Sequence, residues 1–273
     1  MSAPPPREEP WRRNSPSGAA PGILNTRTLE TAHRRLAALL RPGLAVLDVG
    51  CGPGAITRGI AGAVAPGGRV VGVDINGGLI DEARRAHRGI PGLAFDVADA
   101  YALPYRSVFD IVTAARVLQW LSRPEDALRG MVGAAKPGGR VVILDYNHEK
   151  IRWTPEPPAA MRTFFAAFLR WRADQGLDNA TADHLAEMFA RTGLVDVAAT
   201  PQPEVTSRAE PDFAARLTIW ADTAAFHGPR MVEDGVVTER ERTAAEADYR
   251  TWISARAESQ ALYLVAVEGT RVV

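Results

Sequence analysis

From about residue 25 onward, short apolar runs alternate with segments of helical spacing, and glycine or proline separates most of them. Leu29, Ala32, Leu36, Leu39 and Leu40 recur at the spacing of a buried helix face. Thr26 to Leu40 is therefore predicted as an amphipathic helix, ended by Pro42 and Gly43. A strand over Ala45 to Val49 follows, then a helix over Ala55 to Val64, a Pro66-Gly67-Gly68 stop and a strand over Arg69 to Asp74. The same logic gives a helix over Leu79 to Ala86 and strands near Leu93 to Val97 and Phe109 to Thr113. The next helix is expected to be capped by Ser122, with Glu125 and Asp126 in its first turn and Lys136 in its last. Pro137-Gly138-Gly139 ends it, and Val141 to Leu144 is a fifth strand.

Short apolar strands alternating with helices imply a parallel sheet covered on both faces, a doubly wound α/β fold. Ligands of such folds sit at the carboxyl ends of the strands. The second half departs from this rhythm. An aromatic helix carries Met161, Phe164, Phe165, Phe168, Leu169 and Trp171, and another helix runs from Thr181 to Thr192 before Gly193. Val195 to Ala199 reads as strand six, Pro211 to Gly228 and Thr238 to Ala257 as two helices, and Leu262 to Val267 as strand seven.

Composition narrows the function classes. The chain has 273 residues, 46% hydrophobic and 23% charged, with 32 basic and 32 acidic side chains that cancel. That is the profile of a globular protein with no general affinity for nucleic acid. Cys51 is the single cysteine, which excludes an intrachain disulfide and fits a cytoplasmic setting. Residues 1–22, rich in Pro, Ser, Gly and Ala, read as a flexible leader without the apolar core of a signal peptide. No run is long enough to span a bilayer. Trp11 could dock that arm on the body or on a second subunit, which leaves a homo-oligomer open.

The candidate chemistry begins where the first strand breaks into Gly50-Cys51-Gly52-Pro53-Gly54. Gly50, Gly52 and Ala55 fit a dinucleotide fingerprint, but a pyrophosphate wants N–H donors and positive potential. Asp48 places negative charge near this loop, Pro53 removes one donor, and no lysine is present. The loop suits a ligand that brings a cation, such as an α-amino group next to a sulfonium. Asp74, at the end of strand two, could accept both hydroxyls of a ribose. Asp99, just past strand three, could accept an adenine amino group.

In that order, the loop and the two acids resemble the class I S-adenosylmethionine-dependent methyltransferases, in their small-molecule, ubiquinone/menaquinone-biosynthesis-like branch. The resemblance covers roughly Asn25 to Leu144: Leu47 to Gly54 matches the first motif, Val70 to Asp74 the acidic second strand, Ala98 to Ala100 the adenine contact, and Phe109 to Val112 the fourth strand. It implies a seven-stranded, mostly parallel sheet over residues 23–273, with an antiparallel last strand. It also implies S-adenosyl-L-methionine as cofactor and S-adenosyl-L-homocysteine as product. Asp48, Gly50, Cys51, Gly52 and Gly54 would then surround the methionine part, with Asp74 on the ribose and Ile75 beside the adenine. Asp99 and Ala100 would meet the adenine edge, and the Ala115-Arg116 backbone would approach the sulfonium. Cys51 reads as a small loop filler rather than a nucleophile.

Methyl transfer from a sulfonium asks mainly for in-line positioning in a dry site, with a base where the nucleophile must lose a proton. His148 is the first-choice base, with an idle histidine at a loop start as the plainer alternative, and Tyr146 is a second polar candidate. A metal-dependent catechol-type site would need an aspartate after strand four. Ala115 and Arg116 stand there, so no metal is expected. The helical segments at about 151–192 and 207–260 should form a lid, with Trp153, Phe165, Trp171, Trp220 and Trp252 as an aromatic cover for a small hydrophobic methyl acceptor. Protein or RNA methylation, a non-methylating binder on the same fold, and more distantly a dehydrogenase are the alternatives.

Overall fold

The structure, a computed structural model, describes residues 27–272. The leader, Trp11 and Thr26 lie outside the described residues. Two short helices come first, α1 (Leu29–Ala32) and α2 (Arg34–Leu39). Thr28 caps α1 through a reciprocal box with Thr31. One continuous helix was expected here. The chain breaks at His33, which leaves helical geometry and is fully buried, its Nε2 donating to Thr113 Oγ1 at 3.2 Å. Thr113 spends its own hydrogen on the Val142 carbonyl, which fixes the direction of the histidine bond.

Strands β1 (Ala45–Val49), β2 (Arg69–Asp74) and β3 (Leu93–Val97) alternate with helices α3 (Ala55–Val64) and α4 (Gly77–Ala86). Next come β4 (Phe109–Ala115), a short 3-10 turn over Leu118–Trp120, and α5 (Pro124–Ala134). Arg123 and Pro124 start α5, so Ser122 lies one residue outside the cap position. Lys136 falls beyond α5, where it pairs with Asp110 at 2.6 Å. Strand β5 (Ala135–Thr154) is far longer than the apolar run Val141 to Leu144, because its polar residues are covered by the second half of the chain.

That half contains α6 (Ala159–Asp174), α7 (Thr181–Arg191), β6 (Leu194–Pro201), β7 (Glu204–Ser207), α8 (Phe213–Leu217), α9 (Ile219–Phe226), α10 (Gly228–Glu233), α11 (Glu239–Ala255) and β8 (Ser259–Arg271). The sheet order is β3-β2-β1-β4-β5-β8-β6, with β7 added on β8. Strands β1 to β5 pair in parallel, and β8 runs antiparallel to both β5 and β6. The expected antiparallel last strand is therefore present, and the short eighth strand β7 is an addition.

Alternation along the central strands explains the layers, since successive side chains face opposite sides. Val46, Val70, Ile111 and Val142 pack against Leu29, Leu36 and Ile60 on one face. Leu47, Val49, Val112 and Ile143 pack with Leu128 and Met131 of α5 and Leu185 and Phe189 of α7 on the other. Leu144 and Tyr146 continue the first face outward, under a helical cap built on Phe164, Phe168, Trp220, Ala224 and Tyr249. The cap thus covers the carboxyl end of β5, next to the carboxyl ends of the earlier strands.

Candidate functional site

The carboxyl ends of β1, β2, β4 and β5 surround a cavity of about 290 Å³. Its sheet side is lined by Val49, Gly50 and Gly52, by Asp74 and Ile75, by Ala98, Asp99 and Ala100, and by Ala115, Arg116 and Val117. The structure therefore brings eight of the eleven expected cofactor residues together. Asp48, Cys51 and Gly54 lie behind that wall, each for a physical reason. Asp48 is buried and accepts the Thr57 hydroxyl at 2.7 Å. Burial raises its pKa to about 7, only partly offset by Thr57, with the Asp74 charge adding to the rise. Cys51 packs with Ile80, Ala83 and Phe95, and burial and the nearby aspartates push its thiol up. Gly54 is the left-handed residue before α3, and a Cβ there would come within 2.6 Å of the Phe95 ring.

The loop is tied down by the acid that faces the cavity. Asp74 Oδ2 accepts the Gly52 N–H at 3.0 Å and its Oδ1 accepts the Asn76 N–H at 2.8 Å. A loop amide held by a carboxylate is closed to a phosphate, while the carboxylate keeps free lone pairs toward the cavity. Asp99 Oδ1 accepts the Tyr101 N–H at 2.9 Å, which orients it at the same rim. No basic side chain stands in the glycine loop. This donor set fits an adenosyl ligand with hydroxyls and a cationic end better than a pyrophosphate.

The opposite side is more polar than its sequence suggested. Tyr146 Oη accepts from Arg116 Nε at 2.9 Å and Arg27 Nη2 at 3.1 Å. Burial alone would raise the phenol, but Arg27 and Arg116 outweigh it and hold its pKa below the ordinary value. Arg116 adopts φ 64°, rare for a non-glycine residue, and its Nη2 also reaches Glu204 of β7 and the Ala32 carbonyl at 3.2 Å. Burial lowers its pKa to about 10.

His148 is a buried strand residue rather than a loop residue. Its Nε2 meets Gln119 Oε1, while Gln119 Nε2 donates to the Arg116 carbonyl at 3.3 Å. Burial, with the Arg172 charge, holds its pKa well below 6.5. Arg172 is itself fully buried, bonded to Asn179 at 2.8 Å and the Gln119 carbonyl at 2.9 Å, with its guanidinium over the Trp120 ring. His227 joins α9 to α10, lines the cavity and stacks on Trp120 at 5.3 Å.

Trp220 is the member of the expected aromatic cover that reaches the cavity, joined by Trp120, Phe168 and Phe226. Phe165 packs edge-on behind Trp220 at 4.6 Å. Trp153 donates to Tyr249 and Gln260 at 3.1 Å each, and Trp171 to Asp234 at 2.9 Å. Those three hold the cap together instead of lining its inner surface. Arg27, Gln119 and Trp120 escaped the sequence reading, and Phe168 was placed on the aromatic helix but not in the cover. The adjacency of Gln119-Trp120 to the end of strand four was the available signal for two of them. Among the described residues no three His, Cys, Asp or Glu side chains converge as metal ligands. Asp145 instead accepts the backbone N–H groups of Gln119 and Tyr146. Among the described residues no helix is long and apolar enough to cross a membrane.

Residues 40–190 match the family described as a methyltransferase domain. The ubiquinone/menaquinone biosynthesis C-methyltransferase UbiE of Ectopseudomonas mendocina is 41% identical over 112 residues, which are 40% of this chain and 44% of that protein. The chain thus spans less than half the length of that curated relative. Among solved structures, phosphoethanolamine N-methyltransferase 2 of Haemonchus contortus, in complex with S-adenosyl-L-methionine, aligns with TM-score 0.52 at 18% identity. That alignment covers 88% of this chain and 52% of the other. The cyclase SpnF aligns with TM-score 0.53 at 21% identity over 91% of this chain and 85% of its own. At such identities the likeness concerns the fold.

Proposed function

The chain belongs to the methyltransferase-domain family, as a class I S-adenosylmethionine-dependent methyltransferase related to the UbiE enzymes, and from that premise we propose that it methylates a small, hydrophobic or aromatic metabolite. The observation that carries this reading is the meeting of Gly50, Gly52, Asp74 and Asp99 with an aromatic cap around one cavity. S-adenosyl-L-methionine, when bound, supplies a methyl group already activated by its positive sulfur.

The residues of the chain supply place and exclusion. Gly50 and Gly52 give backbone access at the methionine end, Asp74 holds the ribose hydroxyls, Ile75 and Ala98 flank the adenine, and Asp99 meets its edge. Ala115 and Arg116 form the floor beside the sulfur. Trp120, Phe168, Trp220 and Phe226 keep water from the methyl acceptor and hold it in line, which is the main source of acceleration for such a displacement. Burial and the Arg172 charge hold the pKa of His148 well below its ordinary value, which favours the neutral ring with a lone pair available. Its low proton affinity suits a methyl acceptor whose proton is already acidic. The UbiE likeness favours a quinone-type or other secondary metabolite, methylated on carbon, oxygen or nitrogen.

A second reading is a cofactor binder that does not transfer the methyl group, since fold alone does not fix chemistry and one structural neighbour is a cyclase. The cofactor assignment that both readings share is tested by calorimetry, and the two are separated by whether a methyl-labelled cofactor yields a labelled product. S-adenosyl-L-homocysteine should bind with a dissociation constant on the order of micromolar while NAD gives no heat at the same concentrations. Tight NAD binding without affinity for S-adenosyl-L-homocysteine contradicts it.

A further inference from the structure

The walls of the cavity carry a polar pair of which the methyl-transfer reading uses only the His148 lone pair, and the inference drawn from the pair rests on that reading. Tyr146 and His148 stand two residues apart on one face of β5, their rings stacked at 5.2 Å and 29°. Both line the cavity.

Each has one hydrogen-bonding position committed by its neighbours and one left over. A phenol oxygen has two lone pairs and one hydrogen. Arg116 and Arg27 fill the two lone pairs of Tyr146, and guanidiniums only donate, so neither can take the phenol hydrogen. Among the described residues no group accepts it. Two charged donors on the oxygen also polarise the O–H bond and make it a stronger donor.

His148 is set in the opposite sense. Gln119 donates from its Nε2 to the Arg116 carbonyl and turns its oxygen toward the ring, so His148 donates from Nε2. That tautomer leaves the lone pair on Nδ1. Sealed, unpartnered side-chain atoms do occur among the described residues, at His33, Arg116, Arg172, Trp220 and Trp252, but His148 Nδ1 is not among them. Having no protein donor and not being sealed, it opens on the cavity.

We propose that Tyr146 and His148 form a donor–acceptor pair that selects a methyl acceptor with a carbonyl oxygen and a hydroxyl on neighbouring carbons, that is, a hydroxy ketone or its enol tautomer. The phenol donates to the carbonyl oxygen and His148 Nδ1 accepts from the hydroxyl. The flat walls at Trp120, Phe168 and Trp220 favour a conjugated ring as the carrier of those two groups. A compound with only one of them leaves a cavity group unpaired, which sites of this kind penalise strongly.

Maltol carries both groups, tropone the carbonyl alone and phenol the hydroxyl alone. Their affinities for the protein saturated with S-adenosyl-L-homocysteine are to be measured by calorimetry. Maltol should bind at least roughly tenfold more tightly than either of the others. In Tyr146→Phe the preference over phenol should vanish and the preference over tropone remain. In His148→Ala the pattern should reverse. Affinity for S-adenosyl-L-homocysteine, unchanged in both variants, shows that each is folded. Equal binding of the three probes to the wild-type protein overturns the proposal, as does a uniform loss of all three in both variants. The wild-type comparison decides even where a variant does not accumulate. Failure of S-adenosyl-L-homocysteine to bind the wild-type protein is a different result and counts against the methyl-transfer reading instead.

Discussion

Gly52 gives its backbone N–H to Asp74 Oδ2 at 3.0 Å, so the carboxylate that faces the cavity also holds the glycine loop in place. Asp74→Ala removes that bond, the bond to the Asn76 N–H, and the ribose acceptor together. Hydrogen bonds to a charged group are worth about 1.5–3 kcal/mol each, so affinity for S-adenosyl-L-homocysteine should fall between roughly tenfold and a hundredfold or more. Calorimetry checks this, and an unchanged affinity removes Asp74 from the site.

Gly50 and Val117 are the second close pair. A Cβ at Gly50 would lie 2.4 Å from Val117 Cγ2, and φ of +72° is itself unfavourable for alanine. Gly50→Ala should therefore displace the loop and weaken S-adenosyl-L-homocysteine binding by at least roughly tenfold, as a 1.4 kcal/mol change does. Adding Val117→Ala removes the clash but not the backbone strain, so recovery should be partial. Full recovery would mean that backbone conformation is unimportant there.

Asp48 predicts a pH effect on stability. Its pKa in the folded chain is about 7, raised by burial from the ordinary 3.8. The folded protein therefore holds a proton that the unfolded chain has lost. This contribution to stability is complete below about pH 4 and disappears as the pH rises to about 7. Asp48→Asn keeps an oxygen for the Thr57 hydroxyl without the charge. It should melt several degrees above the wild type at about pH 8, with a smaller gap at about pH 5. A gap that widens on acidification contradicts the assignment.

The Arg116–Glu204 ion pair joins the residue just past β4 to the short strand β7, with side-chain exposures of 4% and 17%. Glu204→Leu leaves a buried guanidinium without its carboxylate, a kind of loss that costs about 3–5 kcal/mol for fully buried pairs. Residual solvent at Glu204 places the expected loss at the lower end. Denaturant unfolding measures it, and a neutral substitution would mean that Tyr146 and the Ala32 carbonyl suffice for Arg116.

What could be read from the sequence divides along the line between local and tertiary causes. The strands β1 to β4 were legible because apolar runs such as Ala45 to Val49 are bounded by glycine, proline or aspartate. Asp74 and Asp99 stood out only through their order at the ends of strands two and three, since either alone reads as a turn residue, and each does accept a backbone N–H two residues on. The break at His33 was not, since its cause is Thr113, eighty residues away in β4. Nor was β7, whose Glu204 to Ser207 become a strand by pairing with Ser259 to Leu262. The length of β5 was hidden for a similar reason. Asp145, Tyr146, Asn147 and His148 read as a polar loop until Gln119, Arg116 and Asp183 satisfy them. The aromatic cover was legible as a group, but only packing tells Trp220, on the inner surface, from Trp153 and Trp171, which brace the cap.

Methyl transfer from this cavity to a small molecule is open to one direct measurement. The protein, incubated with S-adenosyl-L-methionine labelled in its methyl group and a panel of aromatic, terpenoid and polyketide hydroxyl compounds, should yield a labelled product by mass spectrometry. Its formation should require Asp74. Tight binding of the cofactor with no label on any compound across the panel would contradict the account and leave the chain a binder on a methyltransferase fold.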